Sequence, residues 1–346
     1  MKIARGTLLA KLNEVQIGIS SKENVAQSNC YVFHGDTLTT FNDSIMARAA
    51  NPLPGIDTVV NATDLAGLLS KVPDEEVDIS LKGDELRVKG KGFKAGITAY
   101  AEVLLPVDAV PAPGKWSRLG EGVATALQQA VVCCSKEDAQ YLTTCVHVTE
   151  DMVEGCDNLR LLRVTVPTGF SGEVLLPAES VAALEGLELN KVSLGEGWCH
   201  FKTGSGTVVS LRSAAPPYLV GLDAVLEMEG PIGLVLPASL GEMIGRAEVF
   251  SSEGFNAKVG VKLAEGMLTL TNRKEGGWFK ENKGIAYTGK PLAFEVHPRF
   301  LVEVLSHTRE VQVCPGKMKL AYDRCAFVVC LEATESTEAA GDSEGE

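Results

Sequence analysis

The sequence predicts an α+β protein made of three repeated domains, each with two helices on antiparallel sheets. Three observations carry this. A strand–helix–hairpin pattern occurs three times, in "TVVNATDLAGLLSKVPDEEVDISLKGDELRVKG", "EVLLPAESVAALEGLELNKVSLGEGWCHFKTGSG" and "AFEVHPRFLVEVLSHTREVQVCPGKMKLAYDRC". A helix that runs into a polar break and then into strand-like residues also occurs three times. The breaks are "SSKEN" at Ser20–Asn24, "CSKED" at Cys134–Asp138 and "SSEGF" at Ser251–Phe255. The two patterns alternate and recur together about every 115 to 120 residues, too long for a solenoid and long enough for each copy to bury a core.

Each element has a local cause. The N-terminal "MKIARGTLLAKL" reads as a strand leading into a helix and lacks a small-residue cleavage site, so a secretory leader is not expected. Leu8, Leu12 and Val15, then Val123, Leu127 and Val131, then Leu240, Met243, Ile244 and Ala247 carry helical spacing before the three breaks. Strand-like runs follow each break: "NCYVFHGDTLTTFND", "TTCVHVTEDMVEGCD" and "AKVGVKLAEGMLTLTN". Asn61 and Asp64 make a capping-box-like start for Leu65, Leu68, Leu69 and Val72. Pro177 and Pro298 suit the first turn of the helices carrying Val181, Leu184 and Leu187, and Leu301, Val304 and Leu305. Alternation at Val77, Ile79 and Leu81, at Leu86 and Val88, and at Val311 and Val313 with Met318 and Leu320 marks hairpins.

The linkers "VPAPGKWS" and "DAVLEMEGP" place domains over residues 1–116, 117–228 and 229–332. Residues 333–346 follow as a disordered acidic tail. The segment after Leu331 has six acidic residues, no basic one and no large apolar one, a composition that cannot build a core. Removing those six charges takes the formal net charge of −13 to −7, still acidic for a nucleic-acid binder. No apolar run reaches the roughly 18 residues of a membrane span. Nine Cys without a C-x-x-C pair read as reduced, mostly buried thiols of a cytoplasmic protein.

The catalytic inventory is nearly empty. No phosphate-binding loop, nucleophile elbow or H-E-x-x-H occurs, and no cofactor is expected. "GKGFKAG" at Gly90–Gly96 has the wrong spacing for a dinucleotide fingerprint and reads as a turn. The five His are scattered and read as unpaired, with His297 expected to act structurally beside Pro298. Nothing joins a nucleophile to a base, so the chain does not read as an enzyme.

Three such domains in a chain of this length resemble the bacterial sliding clamp, the β subunit of replicative DNA polymerase III. "CDNLRLLRV" resembles a family segment through Asp157, Arg160 and Leu161, "APPYL" through Pro216 and Tyr218, and "CAFVVCLE" through Phe327, Val328 and Val329. Asn158, Leu159, Cys330 and Leu331 depart from it, which marks a divergent clamp of the kind a phage or plasmid encodes.

The resemblance implies a head-to-tail ring dimer of clamp-fold domains that encircles duplex DNA and tethers a polymerase, with a clamp loader as a further partner and no membrane. Lys11, Lys22, Lys71, Lys136, Lys191, Arg246, Arg299 and Arg309, on or just after predicted helices, are the cations expected to face the DNA. Each alone is equally a solvated charge. The family's peptide groove carries over to Leu142, Cys156, Leu159, Arg160, Leu161, Pro216, Val220, Val328 and Cys330, several of them expected to be partly exposed with Arg160 at the rim. The dimer joint carries over to Phe93 and Ile97 of one chain against Val249 and Phe250 of the other. Two rivals remain: a repeat scaffold or virion protein that never meets DNA, and an enzyme with a site of dispersed acids.

Overall fold

The structure, a computed structural model, describes residues 1–136, 138–251 and 257–334. Parts of the breaks at Cys134–Asp138 and Ser251–Phe255, and the tail from Glu335 on, lie outside the described residues. The chain forms two compact units, Met1–Gly155 with Val166–Tyr218, and Cys156–Thr165 with Leu219–Glu346.

In the first unit, β1 (Lys2–Ala4) and α1 (Arg5–Val15) precede β2 (Cys30–His34), β3 (Thr37–Phe41), β4 (Ile45–Ala50) and β5 (Thr58–Asn61). Next come α2 (Ala62–Lys71), β6 (Glu76–Lys82), β7 (Glu85–Gly90), β8 (Phe93–Tyr100), β9 (Ser117–Arg118) and α3 (Val123–Val132). They are followed by β10 (Cys145–Val148) and β11 (Met152–Cys156) and, after the excursion of β12 (Arg160–Thr165) into the second unit, by β13 (Val174–Pro177) and α4 (Ala178–Ala182). The unit closes with β14 (Leu189–Gly195), β15 (Trp198–Thr203) and β16 (Val208–Arg212).

The second unit continues with α5 (Leu222–Leu226), β17 (Ile232–Val235), α6 (Leu240–Glu248), β18 (Val259–Ala264), β19 (Met267–Lys274) and β20 (Gly277–Gly284). It ends with β21 (Leu292–Val296), α7 (Pro298–His307), β22 (Glu310–Cys314), β23 (Lys317–Tyr322), β24 (Cys325–Cys330) and β25 (Glu332–Ala333).

The repeat is visible in the strand order, with a period of eight. The orders β1-β6-β7-β8, β9-β14-β15-β16 and β17-β22-β23-β24 trace one antiparallel path three times. The orders β5-β2-β3-β4 and β21-β18-β19-β20 trace a second path, which β13-β10-β11 also follows. In the first unit β4 pairs with β16, Ile45 opposite Leu211 and Arg48 opposite Val208. In the second unit β12 pairs with β24, Leu161 opposite Val328. Both joints connect the last strand of the second path to the last strand of the first.

Most local expectations hold. Asn61 accepts the Asp64 N–H at 3.1 Å and starts α2. His297 accepts the Arg299 N–H at 3.2 Å, capping α7 with Pro298 at its first position. Leu8, Leu12 and Val15 of α1 and Met243, Ile244 and Ala247 of α6 have no exposed surface. Gly92, at φ +89°, makes the β7–β8 turn that a bulkier residue would strain.

Three expectations need correction. The helix after Pro177 has only five residues; Gly186, at φ +79°, follows its last turn, and Leu187 stays half-exposed. Glu332, counted with the acidic tail, lies on β25 opposite Glu295 of β21. The histidines are not unpaired: buried His147 lies 2.7 Å from Glu154 and 3.0 Å from Glu173, and buried His200 lies 2.8 Å from the Ser210 hydroxyl. These pairings join residues distant in sequence, which spacing alone does not reveal.

The first and second repeats are tied by Glu14 of α1. Its carboxylate accepts from Lys11 Nζ at 2.9 Å, from Ser205 Oγ at 3.1 Å and from Thr207 Oγ1, the last two in the β15–β16 turn. Burial raises the Glu14 pKa, but the Thr207 hydroxyl and Lys11 more than offset this and hold it below the usual glutamate value. Burial, reinforced by nearby Arg48, lowers the His200 pKa to about 4. His200 is therefore neutral in the fold where an unfolded histidine, with a pKa of about 6.5, takes up a proton.

Stability should fall as pH drops from about 6.5 toward 4, this group contributing at most about 1.4 kcal/mol per pH unit. Replacing His200 by Gln should flatten that part of a urea-midpoint profile against pH. Glu14 acts in the same direction only below about pH 4.3, so it does not confuse the window. An unchanged slope in the His200→Gln protein would place the protonation elsewhere.

Candidate functional site

The most constrained polar cluster is built around Arg160 in the second unit. Asp157 Oδ1 accepts the N–H groups of Leu159 and Arg160 at 3.1 and 2.8 Å, a turn that launches β12. Asp157 Oδ2 takes Arg160 Nε at 3.0 Å and a terminal guanidinium nitrogen at 2.6 Å. The other nitrogen reaches Glu303 Oε2 on α7 at 2.5 Å, and the guanidinium carbon sits 4.4 Å from the Phe300 ring centroid. Arg160 is 6% exposed, so it is a buried anchor where the sequence placed a groove rim. A buried Arg needs such full pairing, because removing water from a lone charge is far costlier than leaving it at the surface.

Glu303 also accepts from Arg299 Nε at 2.9 Å. One carboxylate thus joins a residue assigned to the groove with one assigned to DNA. Sequence reasoning missed Asp157 as a ligand of Arg160, and it missed Glu303 and Phe300. The three-residue step from Asp157 and the four-residue step from Arg299 were the available signals.

The remaining groove residues separate by exposure. In the second unit Leu161 and Val328 face each other across β12 and β24 and are buried, as is Cys156. Leu159 and Cys330 are half-buried, with the Cys330 N–H bonded to the Leu159 carbonyl at 2.8 Å, and Val220 is 92% exposed. In the first unit Leu142 is half-buried and Pro216 exposed, while Tyr218 is buried on His147 with ring centroids 4.7 Å apart.

The eight cations do not form one class. Lys11, Arg246 and Arg299 are engaged: Lys11 with Glu14, Arg246 with Glu281 at 2.8 and 3.0 Å, and Arg299 with Glu303. Lys191 lies on β14, not on or just after a helix. Its neighbour Val192 is buried, so alternation points Lys191 away from the core. Lys22, Lys71, Lys136 and Arg309 are exposed and have no side-chain acceptor among the described residues. All four end a helix or follow one. The helices themselves are not basic: α3 carries no charge, and α6 has Glu242 and Glu248 against Arg246.

Of the joint residues, Phe93 is half-buried and Ile97 buried on β8. Val249, at the end of α6, is 63% exposed. Phe250 is half-buried and stacks on Phe279 of β20 at 6.5 Å, so it packs within its own unit. Beyond β7, strand β8 meets only β5, at Ala99 and Tyr100. Strand β20 pairs along one edge with β19, and its other edge has no strand partner among the described residues.

The sequence matches no protein-family model and no curated protein. Solved structures do match. The DNA polymerase III subunit beta from Pseudomonas aeruginosa superposes with a TM-score of 0.80 at 18% identity, over 96% of this chain and 100% of its own. The beta subunit from Streptococcus pyogenes gives 0.80 at 17%, over 96% and 99%, and the sliding clamp from Bacillus subtilis 0.79 at 15%, over 96% and 98%. The chain has the sliding-clamp fold. At such identities the fold is shared and residue roles must be argued from this chain. Among the described residues of this clamp fold, no group of three or more His, Cys, Asp or Glu could hold a metal ion, and no helix is long and apolar enough to cross a membrane.

The Arg160 cluster makes a stability prediction. Arg160→Ala leaves Asp157 and Glu303 without their buried cation and should cost about 3–5 kcal/mol in urea unfolding at neutral pH. A loss below about 1 kcal/mol would mean an exposed pair, contrary to the geometry.

Proposed function

We propose that this protein is a DNA polymerase processivity factor. Two copies close head to tail into a ring around duplex DNA, and the ring tethers a polymerase after a loader opens it. The observation that carries this reading is the repeated strand joint. β4 meets β16 and β12 meets β24, and the eight-strand period makes β20 and β8 the next such pair. Those edges are unpaired within one chain, and free sheet edges seek partners. A second copy supplies a β8 for each β20, and two such joints close without leaving an edge.

The tether works by topology, so strong phosphate contact is not needed. Each neutralised phosphate adds affinity by counterion release, and many would arrest sliding. Lys22, Lys71, Lys136 and Arg309, free at helix ends, are the proposed DNA contacts. Partner proteins dock through a short apolar peptide on Leu159, Val220 and Cys330. Arg160, Leu161 and Val328 support that surface from beneath.

Sedimentation tests the ring first. The protein should run at twice the 36.7 kDa chain mass. Val249→Asp, a change at an exposed site, should move it toward monomer with its melting unchanged. A monomer or an open fibre in the unaltered protein would favour the scaffold reading.

DNA tests the tether. Protein loaded on nicked circular DNA should remain until the circle is cut, and Lys22→Glu with Lys136→Glu should slow loading while leaving the dimer intact. Equal loss from linear and circular DNA would refute encirclement.

A further inference from the structure

The solvent-facing side of the β18–β21 sheet carries a feature that the ring does not use. Gly260 pairs with Thr271 on one side and Glu295 on the other, and Thr271 pairs with Lys280, so these four share a face. Their neighbours Val261, Leu270 and Phe294 are buried on the opposite face. Trp278 pairs with Arg273 and is 64% exposed, a large aromatic left in water. Gly260 makes the floor low; a Cβ there would lie 2.6 Å from Thr271 Oγ1. The result is a cleft of about 500 Å³ lined by Lys258, Arg273, Trp278, Lys280, Glu295 and Thr334.

The charge of this cleft is unbalanced. Arg273 and Lys280 have no carboxylate partner among the described residues, and Glu295 is the one acid in the lining. Lys258 is bonded to Glu332, the first acidic residue of the C-terminal segment. Thr334, the last described residue, already lies in the cleft wall. The chain beyond it adds Glu335, Glu338, Asp342, Glu344 and Glu346 and no cation. Twelve residues reach up to about 40 Å, whereas a five-stranded sheet is about 20 Å across.

We propose that residues 335–346 fold back over this face as an intramolecular latch, with carboxylates on Arg273 and Lys280 and the tail backbone covering Trp278. Glu332 on Lys258 is its first contact. Attachment at Thr334 gives the tail an effective concentration of the order of millimolar, enough for individually weak ion pairs to hold it. The latch covers a sheet face and leaves the β20 edge free, so it is independent of whether two chains close a ring.

Lysine labelling tests it on the full chain and on a chain ending at Thr334, which loses no described residue. With trace acetylation read by mass spectrometry, Lys280 should react about threefold more slowly in the full chain at low salt, and the difference should vanish near 1 M salt, where screening acts within about 3 Å. Lys22 should react equally in both. Equal Lys280 rates at low salt would overturn the proposal, and so would protection that grows with protein concentration, the mark of a second copy as occupant. Arg273→Glu with Lys280→Glu, both on the exposed face, should speed cleavage at Glu335 and Glu338 by a Glu-specific protease; unchanged cleavage would also overturn it.

Discussion

The backbone groups along a sheet edge are the constraint on which this architecture depends. An edge strand presents a row of N–H and C=O groups, and a long, flat, free edge is an invitation to pair. Here the chain meets that constraint by repetition. The edge made by β4 is closed by β16 of the next repeat, and the edge of β24 is closed by β12 of the previous one. Repeating the same joint twice leaves one edge of each kind, β8 and β20, and their complementarity is a consequence of the period. Assembly by the same joint therefore requires no new surface, only a second copy.

The polar interior follows a second rule: what is buried and charged is fully paired. Arg160 has two carboxylates and an aromatic face, and buried Glu154 lies beside His147. His200 takes the other route, staying neutral beside Ser210 and Arg48. These arrangements hold strands and helices of one unit in register. They do not present a reacting group to solvent, in keeping with a protein whose proposed work is mechanical.

Local physics made much of the fold legible in the sequence. Caps at Asn61 and His297, the apolar period of α1, α3 and α6, and the turn at Gly92 all depend on neighbours within a few residues. The repeat was legible because it copies such local patterns. The functional surface was less so. Arg160 resembled a rim residue, yet its burial depends on Glu303, 143 positions away. Lys191 read as helix-associated, but its strand alternation turns it outward. Whether a cation is free or engaged depends on a partner brought by tertiary structure, as Glu281 is to Arg246. Composition and spacing carry no record of that pairing.

Charge connects these observations. The chain is strongly acidic, its helices balance their own charges, and the unengaged cations after α1, α2, α3 and α7 are few. For a protein that must grip one site on DNA this would be a poor design, because affinity grows with each phosphate neutralised. For one that must move along DNA it is suitable. Few contacts mean a shallow energy profile from one phosphate to the next, and a closed chain of strands, once formed, needs no affinity to remain in place. The same reasoning gives the acidic segment after Leu331 a physical place. Arg273 and Lys280 would otherwise be an exposed basic patch beside Trp278, able to attract polyanions to a face that has no part in encirclement. An acidic segment tethered at Thr334 is the nearest anion to that patch at any protein concentration.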